Sequence, residues 1–419
     1  LQFLSEQALD GRFLKSRPSR SLRRIAALLF LVLLSGIVAG CGARPLRPLP
    51  ARRLPDFADD LCRSSLERGV EQSVNFLQNL PPEQQFQLGD RTVSASWLIR
   101  SLLSFVAILH QSSTRAELQE KIVEYFDVYN LNKTGLFRHR DPMLVTGYFE
   151  PVLDGSLTRN PPFIYPLYRV PPDLLVRQDP DTGAKKVGRL VNGSFVPYWT
   201  RAEIEEGNLL AGDELLYLAS PIDAFILHVQ GSGKIHLRDG SVRNVHYAAA
   251  NGRPYRSIGR LLVDEGLLSP EEADLPRIRE YLADNPGQRD RILHHNESFI
   301  FFDWQNAEDP VGNLGQPLTS GRSVAVDQKV YPAGGLGFLQ AARPTLGPQG
   351  EITGWTPLSR FVLLQDSGSA IAGPKRLDLF WGRGREAEIT AGVMRHSGTL
   401  YILLEKTDDK NRSEPIAFF

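Results

Sequence analysis

Apolar positions recur at helical spacing through three stretches, about 57–79, 96–112 and 115–130, and each pattern predicts a helix with one buried face. Thr114 followed by Glu117 supplies a capping box for the third. Near Met143 the period shortens. "MLVTGYFEPVL" (143–153), "FIYPLYRV" (163–170), "LLYLAS" (215–220) and "AFILHVQGSGKIHL" (224–237) read as short strands broken by Gly, Pro and Asp. Helical spacing returns between about 256 and 295, with Ser269 as an N-cap and Pro270 in the first turn. From 298 onward the chain is β again, in "SFIFFDW", "SVAVDQKV", "RFVLLQD", "RLDLFWG" and "TLYILLEK". Strand blocks of irregular spacing with Gly/Pro turns predict barrels rather than a βαβ sheet. The N-terminal helices and the last β block flank the middle section. An inserted middle domain fits that order, although periodicity alone does not establish it.

The first forty residues follow a different logic. Lys15, Arg17, Arg20, Arg23 and Arg24 precede the apolar run "IAALLFLVLLSGIV" (25–38), which is short for a spanning helix. The run ends in "VAGC", with Cys41 last. That order resembles a bacterial lipobox and implies cleavage before Cys41 and lipidation of its thiol. Gly42, rather than Asp, follows, so the outer membrane is the expected address. Residues 42–56, rich in Pro and Arg, read as a stiff, solvated tether.

Composition narrows the rest. Lys plus Arg is 48 and Asp plus Glu is 48, so the formal net charge is zero and nothing favours a nucleic-acid binder. The chain has two cysteines, which leaves Cys62 without an intrachain disulfide partner once Cys41 is lipidated. Cys62 itself reads as a small buried residue on a helix. No CxxC or HExxH spacing occurs, and neither a metal nor a cofactor is expected.

The chemistry-bearing candidates are carboxylates. Asp366 ends the apolar run "RFVLLQD" and opens a Ser/Gly turn. Asp378 lies inside "RLDLFWG", where strand alternation points it away from Leu377 and Leu379. Either aspartate alone is compatible with a turn or an exposed strand face. Two of them joined by the Gly-rich "SGSAIAGPKR" can meet at a barrel mouth. A second Asp-Thr-Gly at Asp181 raises an aspartic protease, but Asp181 sits in the polar "VRQDPDTGAKKVG", which reads as a hairpin turn. A shared-proton dyad needs two equivalent apolar loops. "HVQGSGKI" (228–235) reads as a tight hairpin turn rather than a phosphate loop. "YAAANGRPYRSIG" (247–259) brings Tyr255, Arg256 and Ser257 together, a composition that suits sugars and equally a turn entering a helix.

Taken in order over roughly residues 140–406, "TGYFEP", "YPLYRVP", "HVQGSGKI", "YAAANGRPYRSIGRLL", "NESFIFF", "GRSVAVDQKVYPAGG", "QDSGSAIAGPKRLDLFWGRG" and "AG…G.LYILLEK" resemble the membrane-bound lytic murein transglycosylase A family. The last block also resembles the module named for three aspartates, here Asp327, Asp366 and Asp378. "DSGSAI" carries Ser369 where the family has Gly.

The resemblance implies a mainly β protein with N-terminal helices: a double-psi β-barrel domain with a second β domain inserted, and a groove between them for a glycan strand. The expected borders are 1–40 for the lipoprotein signal, 41–56 for the tether, 57–151 for the helical segment and first part of the barrel, 152–297 for the insert, 298–406 for the barrel with its three-aspartate module, and 407–419 for a tail. It implies non-hydrolytic cleavage of the β-1,4 bond between N-acetylmuramic acid and N-acetylglucosamine in peptidoglycan, leaving 1,6-anhydro ends. Asp378 would be acid and then base, Asp366 its partner, and Asp327 structural. Tyr148, Gln230, Ser232, Tyr255 and Arg256 are the expected groove residues. A non-catalytic, expansin-like wall-binding lipoprotein is the alternative, and the protease comes third.

Overall fold

The computed structural model describes residues 46–131, 142–180, 183–368 and 370–407. Its first residues are already docked. Leu46 is 5% exposed, its N–H reaches the Asp90 carboxylate at 3.0 Å, and the Leu49 N–H meets the Val128 carbonyl at 2.7 Å. Leu46, Leu49 and Leu54 join the main core. The expected tether is therefore bound to the fold from Leu46 onward, because leucines interleave its Pro and Arg residues.

Three helices follow: α1 (Arg63–Gln78), α2 (Ala95–Gln111) and α3 (Arg115–Tyr125), with the hairpin β1 (Gln85–Leu88) and β2 (Arg91–Ser94) between the first two. α1 buries Leu66, Val70, Val74 and Leu77, one helical face. The Thr114–Glu117 capping box is formed as expected. Cys62 departs from expectation: it is exposed and stands at the N-cap of α1, outside the apolar stripe. Strand β3 (Phe126–Tyr129) leads to β4 (Met143–Glu150), the first barrel strand.

The insert comes next. Its main sheet contains β5 (Val152–Ser156) and β6 (Tyr165–Tyr168). A separate three-stranded sheet is made by β7 (Leu175–Gln178), β8 (Lys185–Val191) and β9 (Ser194–Pro197). β7 and β8 pair antiparallel; Asp181, read from the sequence as part of a hairpin turn, lies outside the described residues. Helix α4 (Arg201–Gly207), β10 (Glu214–Leu218), helix α5 (Pro221–Gln230), β11 (Ser232–Leu237), β12 (Val242–Ala250), helices α6 (Ile258–Asp264), α7 (Leu275–Asp284) and α8 (Pro286–His294), and β13 (Ile300–Gln305) complete it. The sheet order is β13-β12-β11-β5-β10-β6.

Four sequence expectations fail in the insert. "AFILHVQ" is the body of α5, not a strand. Ser220 caps the Asp223 N–H, Pro221 opens the first turn, and Gly231 closes the helix at φ 83°. Gly231 is thus a helix C-cap, not a hairpin turn. Ser269 exchanges hydrogen bonds with Glu272 around a single turn only; the helix itself begins at Leu275, capped by Asp274. "SFIFFDW" pairs with β12, so the insert reaches Gln305 rather than stopping at 297.

The chain then returns to the barrel through β14 (Ser323–Ala325), β15 (Leu336–Leu346), β16 (Ile352–Asp366), β17 (Arg376–Arg383), helix α9 (Arg385–Val393) and β18 (Arg395–Glu405). The sheet order β15-β16-β14-β17-β4-β18 closes through β15–β18, with β3 added outside on β18. β4 pairs parallel to β17, and β14 pairs parallel to β16, while the remaining barrel pairs are antiparallel. This is the expected double-psi barrel with a second β domain inserted after its first strand. Val145, Val324, Leu364, Leu377, Leu379 and Ile402 fill the interior, all fully buried. Two buried arginines lock the N-terminal segment to the barrel. Arg322 reaches Asp59 at 2.6 Å, and Arg360 grips Asp60 with two hydrogen bonds of 2.8 Å.

Candidate active site

Alternation along β17 decides which side chains leave the barrel. Leu377 and Leu379 point inward, so Arg376 and Asp378 point out. On β4, Met143 and Val145 are buried while Thr146 stands on the outer face. Asp378 faces Thr146 in the parallel β4–β17 register. On its other side Asp378 faces Ala325, and Ala325 in turn faces Asp366. A bulge after Leu364 makes this last match possible. Gln365 is turned toward α1, where Ser323 and Gly69 satisfy its amide at 2.5 and 2.7 Å, and Asp366 is left opposite Ala325.

The two carboxylates share a cavity of about 820 Å³ that runs between barrel and insert. Asp378 retains 20% of its side-chain exposure. Thr146 Oγ1 donates to Asp378 Oδ1. The Arg376 guanidinium approaches the same carboxylate oxygen at 3.6 Å and donates to Thr146 Oγ1 at 3.3 Å. Burial lifts the Asp378 carboxyl to about 6; Arg376 opposes the shift and the Asp366 charge adds to it. Asp366 accepts three hydrogen bonds: from the Tyr148 hydroxyl at 2.9 Å, the Asn313 N–H at 2.8 Å and the Ser367 N–H at 2.9 Å. Burial raises its carboxyl too, while these donors pull it back. The Tyr148 phenol is pushed well above its ordinary value by burial and the Asp366 charge, so it remains a donor. The two carboxyls are thus held differently: Asp378 by one hydroxyl and a nearby guanidinium, Asp366 by three hydrogen-bond donors.

Of the expected groove residues, Tyr148, Gln230 and Tyr255 line the cavity. Gln230 is fixed at the end of α5, where its side-chain oxygen takes the Phe149 N–H at 3.0 Å. Ser232 and Arg256 do not line it. Ser232 belongs to the β11–β12 ladder, and Arg256 turns to Glu297 at 2.9 Å. In "YAAANGRPYRSIG", Asn251 is buried and bonds the Trp199 and Glu297 carbonyls, each at 2.8 Å. Ser257 caps α6. That segment is mostly scaffold, with Tyr255 and Ser257 reaching the cavity. Asp327 holds a turn, accepting from the Lys329 N–H at 3.0 Å and the Gly373 N–H at 2.7 Å.

Thr146, Arg376 and Ala325 were missed from the sequence. Arg376 had a readable signal, since it precedes Asp378 by two on a strand and must share its face. Gly147 is also required: a Cβ there would lie 2.8 Å from the Ala391 backbone, forcing α9 away from β4. Among the described residues, no three His, Cys, Asp or Glu side chains gather as a metal site. No described helix is long and apolar enough to cross a membrane. Cys41 and the apolar run before it lie outside the described residues.

Two family descriptions match the two β domains: the MltA specific insert domain over residues 144–303 and the 3D domain over 322–404. Membrane-bound lytic murein transglycosylase A of Escherichia coli K12 is 37% identical over 260 residues, which span 62% of this chain and 64% of that protein, just under two thirds of its length. The solved membrane-bound lytic murein transglycosylase from Agrobacterium tumefaciens superposes with a TM-score of 0.70 at 30% identity, over 86% of this chain and 97% of that one. The E. coli structure with bound chitohexaose gives 0.64 at 26% identity, over 87% and 95%. The chain belongs to the membrane-bound lytic murein transglycosylase A family.

Proposed function

We propose that the chain is a lytic transglycosylase that cleaves the β-1,4 bond between N-acetylmuramic acid and N-acetylglucosamine in peptidoglycan. Family membership supports that class of activity, and the chitohexaose bound by the E. coli relative supports a groove that accepts a glycan. The observation that carries the mechanism is the setting of Asp378: a carboxyl lifted to about 6 at the floor of the inter-domain cavity, with Asp366 on the same row of the sheet.

The chemistry follows from one proton used twice. Asp378 gives its proton to the glycosidic oxygen as the C1–O bond breaks. The sugar's own 6-hydroxyl closes on C1, and its proton passes to the Asp378 carboxylate. No water is consumed, the acid is regenerated, and the product ends in a 1,6-anhydro ring. Asp366, which accepts from three donors, stabilises the positive charge that develops at C1. Tyr148 positions Asp366, and Gln230 and Tyr255 border the glycan. Lipid on Cys41 would hold the enzyme at the outer membrane facing the periplasm; Cys41→Ala should then leave the chain unprocessed or soluble on fractionation.

Mass spectrometry of digested peptidoglycan tests the reaction. Anhydro ends support it, reducing ends indicate a hydrolase, and intact glycan indicates a wall-binding module.

A further inference from the structure

The row of register partners does not stop at Thr146. Arg395 of β18 faces Thr146 from the other side, so Arg395, Thr146, Asp378, Ala325 and Asp366 lie in one line across five strands. Cross-strand partners share a face of the sheet. The acid is thus flanked unequally, with a carboxylate toward one end of the row and a guanidinium toward the other. Arg376 reinforces the cationic end.

Arg376 and Arg395 both line the catalytic cavity and a second cavity of about 550 Å³ that adjoins it. The other two arginines of the second cavity are already matched. Arg260 pairs with Asp264 at 2.8 Å, and Arg279 pairs with Asp223 and Glu388. Arg376 spends only Nη2, on Thr146 and Asp378, and has no carboxylate to itself; its Nε, like that of Arg279, is buried without a hydrogen-bond partner among the described residues. Among the described residues, the Arg395 side chain reaches only the Pro270 carbonyl, at 3.4 Å. The cavity walls between them are largely apolar, with Ile222, Ile226, Val263 and Ile278.

A carbonyl or carboxylate acceptor on an arm with small apolar groups matches this surface. On the reading of the catalytic site given above, the sugar whose C1 is cleaved is the muramyl one. It differs from N-acetylglucosamine by a lactyl ether on O3, which ends in a carboxylate or in the amide that begins a peptide. We propose that Arg376 and Arg395 recognise this arm and that the second cavity receives the start of the peptide. The pair would set the register of the strand, admitting the muramyl residue and not its neighbour at the acid.

The test uses the full chain carrying Asp378→Asn, so that binding is read without turnover. Three probes are titrated: chitohexaose, an alternating muramyl hexasaccharide with free lactyl groups, and the same strand with peptides. Muramyl strands should bind more tightly than chitohexaose, and the peptide-bearing strand at least as tightly as the free one. Arg395→Gln should reduce the ratio of muramyl to chitohexaose affinity about tenfold, the loss expected for one charge-assisted hydrogen bond. An unchanged ratio, an equal loss on all probes, or exclusion of the peptide-bearing strand would each overturn the proposal. Failure of wild-type protein to release anhydro ends would instead overturn the reaction, whatever the binding ratios.

Discussion

Asp366 and Asp378 stand opposite the same residue, Ala325, one on each neighbouring strand. Two strand spacings put their Cα atoms about 10 Å apart, and the small Ala325 side chain between them keeps the cavity floor low. The pair arises from topology: β14 runs parallel to one strand and antiparallel to the other, which no local sequence pattern encodes.

Ala325→Leu should therefore be far more harmful to activity than to folding. Overpacking costs about 1–3 kcal/mol, whereas a branched side chain on the floor blocks approach to both carboxylates. Lytic rates should fall at least about 10²-fold, a penalty in line with a misplacement of about 1 Å. Ala325→Ser should stay near wild type. Equal activity of the Leu variant in a turbidity assay of peptidoglycan would contradict this geometry.

With Asp378 as the proposed acid, the alkaline limb of the pH profile should follow its titration. Because it must begin protonated, kcat/KM should fall as pH rises above about 6. Arg376→Gln removes the cation that holds the value down, so the limb should move to higher pH. Asp366→Asn removes a charge that holds it up, so the limb should move lower. A limb that stays fixed in both variants would assign the titration to another group.

The same shift carries a stability consequence. Asp378 has a folded value of about 6 against an ordinary 3.8, so the folded chain binds the proton more tightly. Its contribution is most favourable below the unfolded value and is lost as pH rises through the folded one. A shift of this size corresponds to roughly 3 kcal/mol at most. Asp378→Asn should raise Tm at pH 7.5 and change it much less at pH 4.5, measured by calorimetry. A variant less stable than wild type at pH 7.5 would speak against a strained, buried carboxylate.

Breaking the Arg360–Asp60 pair separates stability from function. Arg360 is 1% exposed, and Asp60→Ala would leave its charge buried without its bidentate partner, at a cost of about 3–5 kcal/mol. Tm should drop while the pH limb of the surviving enzyme stays where it was. A displaced limb would mean that the N-terminal lock also shapes the site.

Much of this was legible in the sequence because strand alternation is a local property. Leu377 and Leu379 fixed the outward direction of Asp378, and the Thr114–Glu117 box fixed the start of α3. What escaped was non-local or depended on capping. The apolar "AFILHVQ" has no period to separate strand from helix; Ser220, Pro221 and Gly231 held the answer. "SFIFFDW" is a strand on either side of the domain border, and only its partner β12 shows which sheet owns it. Ser232 and Arg256 have the right chemistry for sugars, but Ser232 sits in the β11–β12 ladder away from the cavity and Arg256 is paired with Glu297. Arg395 was invisible as a site residue, since its relation to Asp378 passes through Thr146 on a third strand.

The central claim is that Asp378 carries the proton in both halves of the reaction, and anhydromuropeptide release by Asp378→Asn and Asp366→Asn tests it most directly. The amide in Asp378→Asn keeps the size of the acid and can still accept from Thr146, but it cannot give and recover a proton at neutral pH. Release should fall toward the upper end of the roughly 10²–10⁴-fold range of acid–base assistance, in a chain that remains folded by circular dichroism and still binds glycan. Asp366→Asn should lose less. A folded Asp378→Asn chain that releases anhydro ends at near-native rates, or a dead Asp366→Asn beside an active Asp378→Asn, would contradict the assignment.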